Sequence, residues 1–338
     1  MSDDKGPSPK SNAFSVQALN SFGVFLALVI VFLVFLVADQ MQPDGGSFAT
    51  WRNVTVICAQ TSVIAVAALG MTLIIISGGI DLSAGTGLAL AATALAWALD
   101  RGHSATTAVL LCVLVGSLCG TINGLLISTL RVVPFIVTLG TMSIYMGFAK
   151  YIANQTTIRP PLDAVPNWLS TLVSTNANDR WLGFPWGVWF ALGLTIVMSL
   201  LLRYTVFGRY VFALGSNEAT ARLCGINVPL VKTSIYAISG GLVGIAGLYH
   251  FSKLSSANPT SGLGMELEII AAVVIGGGSL SGGQGSVLGT LNGALIIAVI
   301  GSGCTLLGFQ NFTTDIIIGG IIIAAVTLDQ YRQRRFAT

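Results

Sequence analysis

Charged residues are scarce in this chain of 338 residues: Asp, Glu, Lys and Arg make up 9% of it, against about 25% in an average soluble domain. The 16 Lys and Arg and the 13 Asp and Glu are too few to coat a water-exposed globule of this size. The net charge of +3 is spread thinly, and no basic cluster could follow a phosphate backbone. This scarcity argues against a cytosolic enzyme, a disordered protein and a nucleic-acid-binding protein.

Patterns that bind metals or build disulfide frameworks are missing as well. The five cysteines include no CxxC pair, and no Cys/His cluster has metal-ligand spacing. We therefore expect no metal site and five buried free thiols. None of the five lysines follows a glycine, so the chain has no GxxxxGK[ST] loop to hold the phosphates of ATP. We expect no cofactor and no catalytic residues in this chain.

Apolar residues dominate what is present. They make up 54% of the chain, and the mean hydropathy is +0.82. Glycine, with 40 residues, lies well above its usual share of about 7%. An excess of glycine suits helices packed closely in lipid, where small residues let backbones approach. The composition predicts an all-α polytopic membrane protein.

Uncharged stretches recur along the chain, and a helix needs about 20 apolar residues to cross a bilayer. Glycines at 276–285 and 301–303 divide the longest stretch into two helices. We expect about ten transmembrane helices in a single transmembrane domain over residues 22–330. The stretches are Phe22–Ala38, Val54–Ile80, Leu82–Leu99, Ser104–Leu130, Val132–Ala149, Gly183–Leu202, Thr233–Phe251, Ile269–Thr314 (the divided one) and Ile316–Leu328.

The two ends of the chain are predicted to lie on the same side of the membrane. Residues 1–21 are polar and rich in Ser and Pro, which predicts a disordered tail. The first apolar stretch exceeds a signal-peptide core of about 7–15 residues, so we interpret it as a retained span, with cleavage as the alternative. Ten Lys and Arg fall on the side of the N-terminus and six on the other, which predicts cytoplasmic termini. The largest loops are then a periplasmic one at 153–182 and a cytoplasmic one at 203–232, and residues 331–338 form a basic cytoplasmic tail.

Asp81 is the only carboxylate deep inside an apolar region, where a charge costs about 2.5–3.5 kcal/mol. Gly78 and Gly79 precede it and allow the helix to unwind, and Ser83 is placed to cap the helix that follows. Two interpretations fit these residues. Asp81 lies in a broken helix that lines a translocation path, or it caps a helix start near the inner surface.

A second glycine-rich break repeats the pattern of the first. The segment Ile275–Gly283 aligns with Ser77–Gly85 at a constant offset of 198 residues, and transporter folds are often built from internal repeats. Its Ser279, Ser281 and Gln284 could line a polar path, or the segment could be a re-entrant turn that serves packing only. Non-helical backbone at membrane depth needs protein or water around it, so we expect both breaks towards the centre of the protein. A path with so little charge suits a neutral, hydroxylated solute.

The cytoplasmic loop contains a predicted short helix bounded by glycines. Asn217 is a good N-cap, and Glu218 complements the positive end of the helix. Arg222 follows Glu218 at the favourable i,i+4 spacing, and Gly225 stops the helix. Such a helix between two spans is either a lever for a docked partner or a plain connector.

Five blocks of sequence, in order along the chain, resemble the ribose-type sugar permeases of ABC importers. The similarity runs from about Phe48 to Asp329. Two positions depart from the family pattern: Gln284 stands where many relatives carry Lys or Arg, and Ser216 replaces a second glycine. The blocks are Gly70–Gly85 with its GGIDLS motif, Pro134–Thr141, Ala213–Val228, Leu254–Thr260 with Glu266-Leu267, and Ala271–Gly285.

The resemblance implies a type II ABC importer-like fold with broken or re-entrant segments, and a permease subunit that imports a neutral monosaccharide or polyol across a bacterial inner membrane. It also implies two copies of the permease, an ABC ATPase with two nucleotide-binding domains, and a periplasmic or lipid-anchored sugar-binding protein. The implied sites are the path residues Gly78, Gly79, Asp81, Ser83, Ser279, Ser281 and Gln284; the ATPase-coupling residues Arg209, Gly215, Asn217, Glu218, Ala219, Arg222 and Gly225; and the binding-protein docking residues Arg159, Lys253 and Glu266.

Two other classes of protein remain as alternatives. An ion-coupled secondary carrier or facilitator for a small polar solute would need intramembrane charge partners, and Asp81 stands alone. A membrane-embedded enzyme would need a paired acid and base or a nucleophile near a histidine, and His103 and His250 have no matching partners at readable spacing.

Overall fold

Helices make up almost all of the regular structure in the computed structural model, which describes residues 9–43 and 45–336, with side chains over 23–43, 45–310 and 312–327. The helices are α1 (Pro9–Gln40), α2 (Trp51–Ile76), α3 (Ala84–Asp100), α4 (Ala105–Leu130), α5 (Pro134–Ile152), α6 (Asn167–Ser170), α7 (Trp186–Tyr204), α8 (Val206–Ser216), α9 (Glu218–Leu223), α10 (Val228–Leu254), α11 (Met265–Ile275), α12 (Val287–Leu306) and α13 (Asn311–Phe336). A two-residue hairpin, β1 (Arg180–Trp181) with β2 (Phe184–Pro185), precedes α7.

Each of the nine predicted apolar stretches contains a helix, and the divided one contains two, but the lengths of these helices differ. Within the described part of the chain, seven helices are long and apolar enough to cross a membrane: α1, α2, α4, α5, α7, α10 and α12. Helix α3 and the apolar part of α13 are shorter, and α11 has only 11 residues. The structure therefore confirms an all-α polytopic membrane protein, with α3 and α11 beside the two glycine-rich breaks.

Helix α2 lies at the centre of the protein. Its sequence is apolar on all sides, and 94% of its most apolar window is buried against other helices. A helix that is hydrophobic all round belongs inside a protein or a membrane. Helices α7, α10, α11 and α12 pack around it, so the end of α2 at Ile76 reaches the first break from inside the core.

Glycines bring α4 and α10 into backbone contact. A Cβ added to Gly116 would overlap the carbonyl oxygen of Gly240, and one added to Gly120 would overlap that of Tyr236. Small residues at such contacts allow the close approach that drives helix association in lipid. This contact fixes α10 against α4, the helix that also carries Asn123.

Helix α1 lies at the periphery, with only 11% of its apolar window buried. It packs on α12, where the ring of Phe35 lies against Gly303. The ring of Phe48 is buried between Phe32 and Phe35, at centroid distances of 5.1 and 5.9 Å. The described backbone is helical from Pro9 onward; the disordered tail over residues 1–21 stays a prediction, and residues 1–8 lie outside the described residues.

The predicted outer loop is folded over the ends of the helices. A bridge joins Ile158 to Ala257, with both backbone N–H groups donating across it at 3.0 Å. The hairpin carries Trp181 against the ring of Trp186, with a centroid distance of 4.9 Å. Amphipathic aromatic rings of this kind are typical of the membrane–water interface.

The thiols agree with the prediction except at one position. All five cysteines are free. Cys112, Cys119 and Cys304 are buried and Cys58 is half-buried, but Cys224 is exposed because it follows α9 on the surface. The prediction of five buried thiols is therefore wrong for Cys224.

Candidate functional site

The first glycine-rich break spans residues 77–83 between α2 and α3. Gly78 adopts a positive φ of 80°, which favours glycine. Asp81 is 4% exposed, and its Oδ1 accepts hydrogen bonds from the Ser83 backbone N–H at 2.8 Å and from the Ser83 hydroxyl at 2.6 Å. The break is therefore a tight turn, which the hydrogen bonds from Ser83 to the Asp81 carboxylate stabilise.

Two residues that sequence analysis missed extend this turn to neighbouring helices. The Asn123 amide on α4 donates to the Ser83 hydroxyl at 2.8 Å. The Tyr145 hydroxyl on α5 lies 3.1 Å from Asn123 Oδ1 and 2.8 Å from the carbonyl oxygen of Cys119. All of these side chains are buried. We call Asp81, Ser83, Asn123 and Tyr145 the polar network; it joins the break to α4 and α5.

The sequence prediction for Ser83 is wrong in its chemistry. Ser83 occupies the N-cap position of α3, but its side chain makes no capping hydrogen bond. Its hydroxyl instead donates to Asp81 and accepts from Asn123. Asn123, the one side-chain amide in the apolar stretch Ser104–Leu130, was the available signal for this partner, because a buried amide is rarely left without a hydrogen-bond partner.

Tyr236 on α10 lies beside the network without joining it. Its side chain is 2% exposed, and its hydroxyl has no hydrogen-bond partner among the described residues. A Cβ added to Gly79 would lie 2.7 Å from that hydroxyl. Gly79 is thus needed where the turn passes close to the Tyr236 side chain.

The second break, residues 276–286, contacts the first. The backbone N–H of Gly283 donates to the carbonyl oxygen of Ile76, at the end of α2, at 2.8 Å. The hydroxyls of Thr72 and Thr290 are 2.8 Å apart on the helices that flank the breaks. The structure therefore brings together the two segments that the sequence related only by their repeated pattern.

The predicted path residues divide into a buried and an exposed group. Gly79, Asp81, Ser83 and Ser279 are buried, whereas Gly78, Ser281 and Gln284 are exposed. The exposed group lies at the end of the protein where α8 packs, because Gly282 and Gly283 contact Gly215 and Ser216. The expectation that both breaks lie towards the centre of the protein holds for Asp81 but not for the tip of the second break.

Helix α9 has the ends that the sequence predicts. The Asn217 side chain accepts from the Thr220 backbone N–H at 2.9 Å, and Gly225 ends the helix with a φ of 84°. Glu218 pairs with Arg222 at 3.3 Å, as its i,i+4 spacing predicts. Helix α8, by contrast, was not predicted within this loop. It places Arg209 on the surface.

Glu218 has a second partner that its spacing did not reveal. The Lys232 ammonium on α10 lies 2.7 Å from the Glu218 carboxylate, and the Lys232 side chain is 19% exposed. The hydrogen bond from Lys232, together with the charges of Lys232 and Arg222, holds the pKa of Glu218 below its usual value. The pair with Lys232 attaches α9 to α10, whereas the pair with Arg222 lies within α9.

The outward face of α9 presents small and apolar side chains. Ala219 and Leu223 line a shallow depression together with Glu218 and Arg222. Leu223 is 89% exposed, although Ala221 on the opposite face is buried. An exposed leucine in such a depression suits contact with another protein surface.

The predicted docking residues are not all on the surface. Arg159 and Lys253 are exposed. Glu266 is buried in the first turn of α11, where its Oε1 accepts from the Gly264 backbone N–H at 3.1 Å and its Oε2 packs against Gly85. The prediction that Glu266 contributes to an exposed docking surface is therefore wrong. Within the described residues, no group of three or more His, Cys, Asp and Glu side chains could hold a metal ion.

Comparisons with known proteins agree on one family. Residues 53–326 match the family model described as the permease component of a branched-chain amino acid transport system. The chain is 36% identical over 307 residues to the ribose import permease protein RbsC of Escherichia coli K12, which covers 91% of this chain and 94% of the relative. It is 38% identical to RbsC of Haemophilus influenzae, with coverages of 91% and 92%. It is 36% identical to the fructose import permease protein FrcC of Rhizobium meliloti, with coverages of 85% and 80%. No solved structure matches the chain.

Proposed function

The chain belongs to the ABC-transporter family of permease components described for branched-chain amino acid transport, and on that premise we propose that it forms the membrane path of an ATP-driven importer for a neutral monosaccharide or polyol. The names of the relatives, which import ribose or fructose, support a sugar as the solute. The few charges around the breaks support a neutral one, because a charged solute is normally met by an intramembrane partner of opposite charge.

The observation that carries this proposal is the surface of α9. An exposed leucine, an i,i+4 ion pair and an N-cap make a short, stiff helix whose outward face is open to a partner. A separate ATPase subunit with two nucleotide-binding domains docks there and supplies the energy, since the chain itself has no Walker A loop. Arg209, Gly215, Asn217, Glu218, Ala219, Arg222 and Gly225 form or support that contact.

A periplasmic or lipid-anchored sugar-binding protein docks at the end of the protein opposite to α9. Arg159 and Lys253 are exposed there and are available to acidic side chains of that partner. The N- and C-termini then lie in the cytoplasm, as the distribution of Lys and Arg indicates. Two copies of the permease enclose the path, with Asp81, Ser83 and Ser279 shaping its wall.

Transport by a reconstituted complex tests the proposal. Proteoliposomes with the permease, its ATPase and its binding protein should take up one member of a panel of pentoses, hexoses and polyols only when ATP is supplied. The variant Leu223→Asp should abolish ATPase association, because it places a charge in the proposed contact. Trp168→Asp, on the opposite end and 54% exposed, is the matched control. Uphill transport by the permease alone on an ion gradient would contradict the proposal and favour a secondary carrier.

A further inference from the structure

Three segments meet in backbone contact between α9 and the two breaks. They are the end of α2 with the first break (Ile76 and Gly78), the end of α8 (Gly215 and Ser216) and the tip of the second break (Gly282 and Gly283). We call this the glycine junction. The Gly283 backbone N–H donates to the Ile76 carbonyl oxygen at 2.8 Å, so the second break is hydrogen-bonded to the end of α2, directly before the first break.

The end of α8 packs directly against this hydrogen bond between Gly283 and Ile76. A Cβ added to Gly215 would overlap the Ile76 carbonyl oxygen and would lie 2.5 Å from the Gly283 nitrogen. A Cβ added to Gly282 would lie 2.7 Å from the Gly215 carbonyl oxygen and 3.0 Å from the Gly78 Cα. The contacting atoms are mainly backbone atoms, so few flexible side chains could absorb a relative movement at this point.

Gly282 and Gly283 also have φ values of 85° and 74°, which favour glycine. The backbone therefore turns sharply at the tip of the second break so that it fits between α2 and α8.

We propose that the glycine junction is the rigid link through which a movement of α9 reaches both breaks at once. Asn217 joins α8 directly to α9, and its backbone N–H donates to Ala213 in the last turn of α8 at 3.1 Å. A displacement of α9 therefore carries the end of α8 and, through Gly215, moves Ile76 and Gly283 together. This inference rests on the proposed function, in which an ATPase moves α9, and it identifies Gly215 and Gly283 as positioning residues.

An alternative route for transmitting a movement of α9 runs through α10. Glu218 is held by Lys232 of α10, but the Glu218 side chain is 42% exposed. A partly solvated ion pair between long side chains can stretch or exchange partners with water. The glycine junction is instead a direct contact between backbone atoms, and the two routes predict different results for a covalent lock across the junction.

A reversible disulfide tests whether the junction moves as one body. A Cβ on Gly283 would lie 3.0 Å from Ser216 Oγ and 3.3 Å from Ser216 Cα, so cysteines at these two positions would be in contact, as a disulfide requires. The variant Ser216→Cys/Gly283→Cys is made with Cys224→Ser, which removes the exposed native thiol. Oxidation of the complete complex should close the disulfide and leave ATP-driven uptake within about twofold of the reduced sample. The single variant Ser216→Cys, oxidised in parallel, controls for the oxidant.

Two results of this experiment would overturn the proposal. One is a loss of uptake by about tenfold or more on oxidation, restored by a reductant, because the two segments must then move relative to each other. The other is the absence of a disulfide in the assembled complex, which would show that the contact does not exist there.

A substitution at Gly215 gives a second test with a different readout. Gly215→Ala should lower uptake and solute-stimulated ATP hydrolysis by about tenfold in complexes purified with the ATPase bound. Gly193→Ala on α7, where a Cβ would meet nothing within 4 Å, should behave as wild type. Normal uptake by Gly215→Ala would contradict the proposal. If the wild-type permease itself fails to bind the ATPase, the proposed function fails instead, so the two failures are distinguishable.

Discussion

At the scale of single residues, Asp81 shows how a carboxylate can be held inside an apolar protein by neutral groups. Its Oδ1 receives hydrogen bonds from the backbone and hydroxyl of Ser83, and Asn123 extends the network to Tyr145. No Lys or Arg contacts Asp81 among the described residues. The network therefore holds the first break in a defined conformation.

Two buried tyrosines beside the break should respond differently to loss of their hydroxyls. Tyr145→Phe removes contacts to the Cys119 carbonyl and to Asn123, so we expect the free energy of unfolding to fall by about 1 kcal/mol. Tyr236→Phe removes a buried hydroxyl without a described partner and should be neutral or stabilising. Unfolding of both variants in mixed micelles by a denaturing detergent measures the difference. Equal destabilisation would contradict the assigned contacts.

Lys232 should stabilise the attachment of α9 in a pH-dependent way. The pKa of Glu218 is lowered in the folded protein, chiefly by its hydrogen bond from Lys232, so the pair stabilises the fold above the unfolded pKa of about 4.3. That contribution is lost as the pH falls through the lower, folded pKa. Lys232→Gln should therefore lower the melting temperature at pH 7, and the difference from wild type should vanish at acidic pH.

The matched variant is Arg222→Gln, whose side chain is 55% exposed in the wild type. An exposed pair of this kind contributes roughly 0–1 kcal/mol, so we expect a smaller loss than for Lys232→Gln. A larger effect of Arg222→Gln on the melting temperature would refute the ranking of the two ion pairs.

At the scale of elements, the sequence predicted those parts of the fold that depend on local patterns. The apolar stretches became helices because length and hydropathy decide whether a segment enters a bilayer. Helix α9 was predicted because its N-cap, its ion pair and its terminal glycine all lie within nine residues of one another. These signals are local and need no knowledge of the neighbours.

The remainder of the site depends on contacts between distant parts of the chain. Lys232 meets Glu218 across the turn between α9 and α10, and Asn123 meets Ser83 from another helix. Glu266 was assigned to the docking surface from the family resemblance alone, but α11 packs its carboxylate against Gly85. Sequence patterns give the elements and their ends, whereas tertiary packing decides which side chains are buried.

The cap of α9 offers a prediction at this scale. Asn217→Ala removes the acceptor for the Thr220 N–H and should destabilise the helix by about 1 kcal/mol, which lowers the fraction of ordered α9 and reduces coupled uptake up to about fivefold. Asn217→Asp keeps an acceptor at the same position and should transport normally. Uptake rates of the two variants at equal membrane expression make the comparison, and equal rates would argue against an ordered α9 as the coupling element.

At the scale of the whole molecule, the two ends of the bundle carry different surfaces. One end presents α8 and α9, and the other presents the hairpin, α6 and the bridge between Ile158 and Ala257. The proposed orientation puts α9 in the cytoplasm.

A membrane-impermeant maleimide tests this orientation in intact spheroplasts. Arg159→Cys should react, because Arg159 is exposed at the predicted outer end. Leu223→Cys, made with Cys224→Ser, should react only after the cells are opened. Labelling of Leu223→Cys in intact spheroplasts would reverse the proposed topology and with it the assignment of the two partner surfaces.

The peripheral position of α1 has a consequence for the synthesis of the protein. Its main neighbour, α12, begins roughly 250 residues later in the chain, and at about 5–20 residues per second the ribosome reaches it after roughly 10 to 50 s. During that interval the segment inserted first has no native neighbour for most of its surface. A long-lived, unassembled first helix is a natural client for membrane chaperones and quality-control proteases, so faulty α12 variants should be recognised through α1.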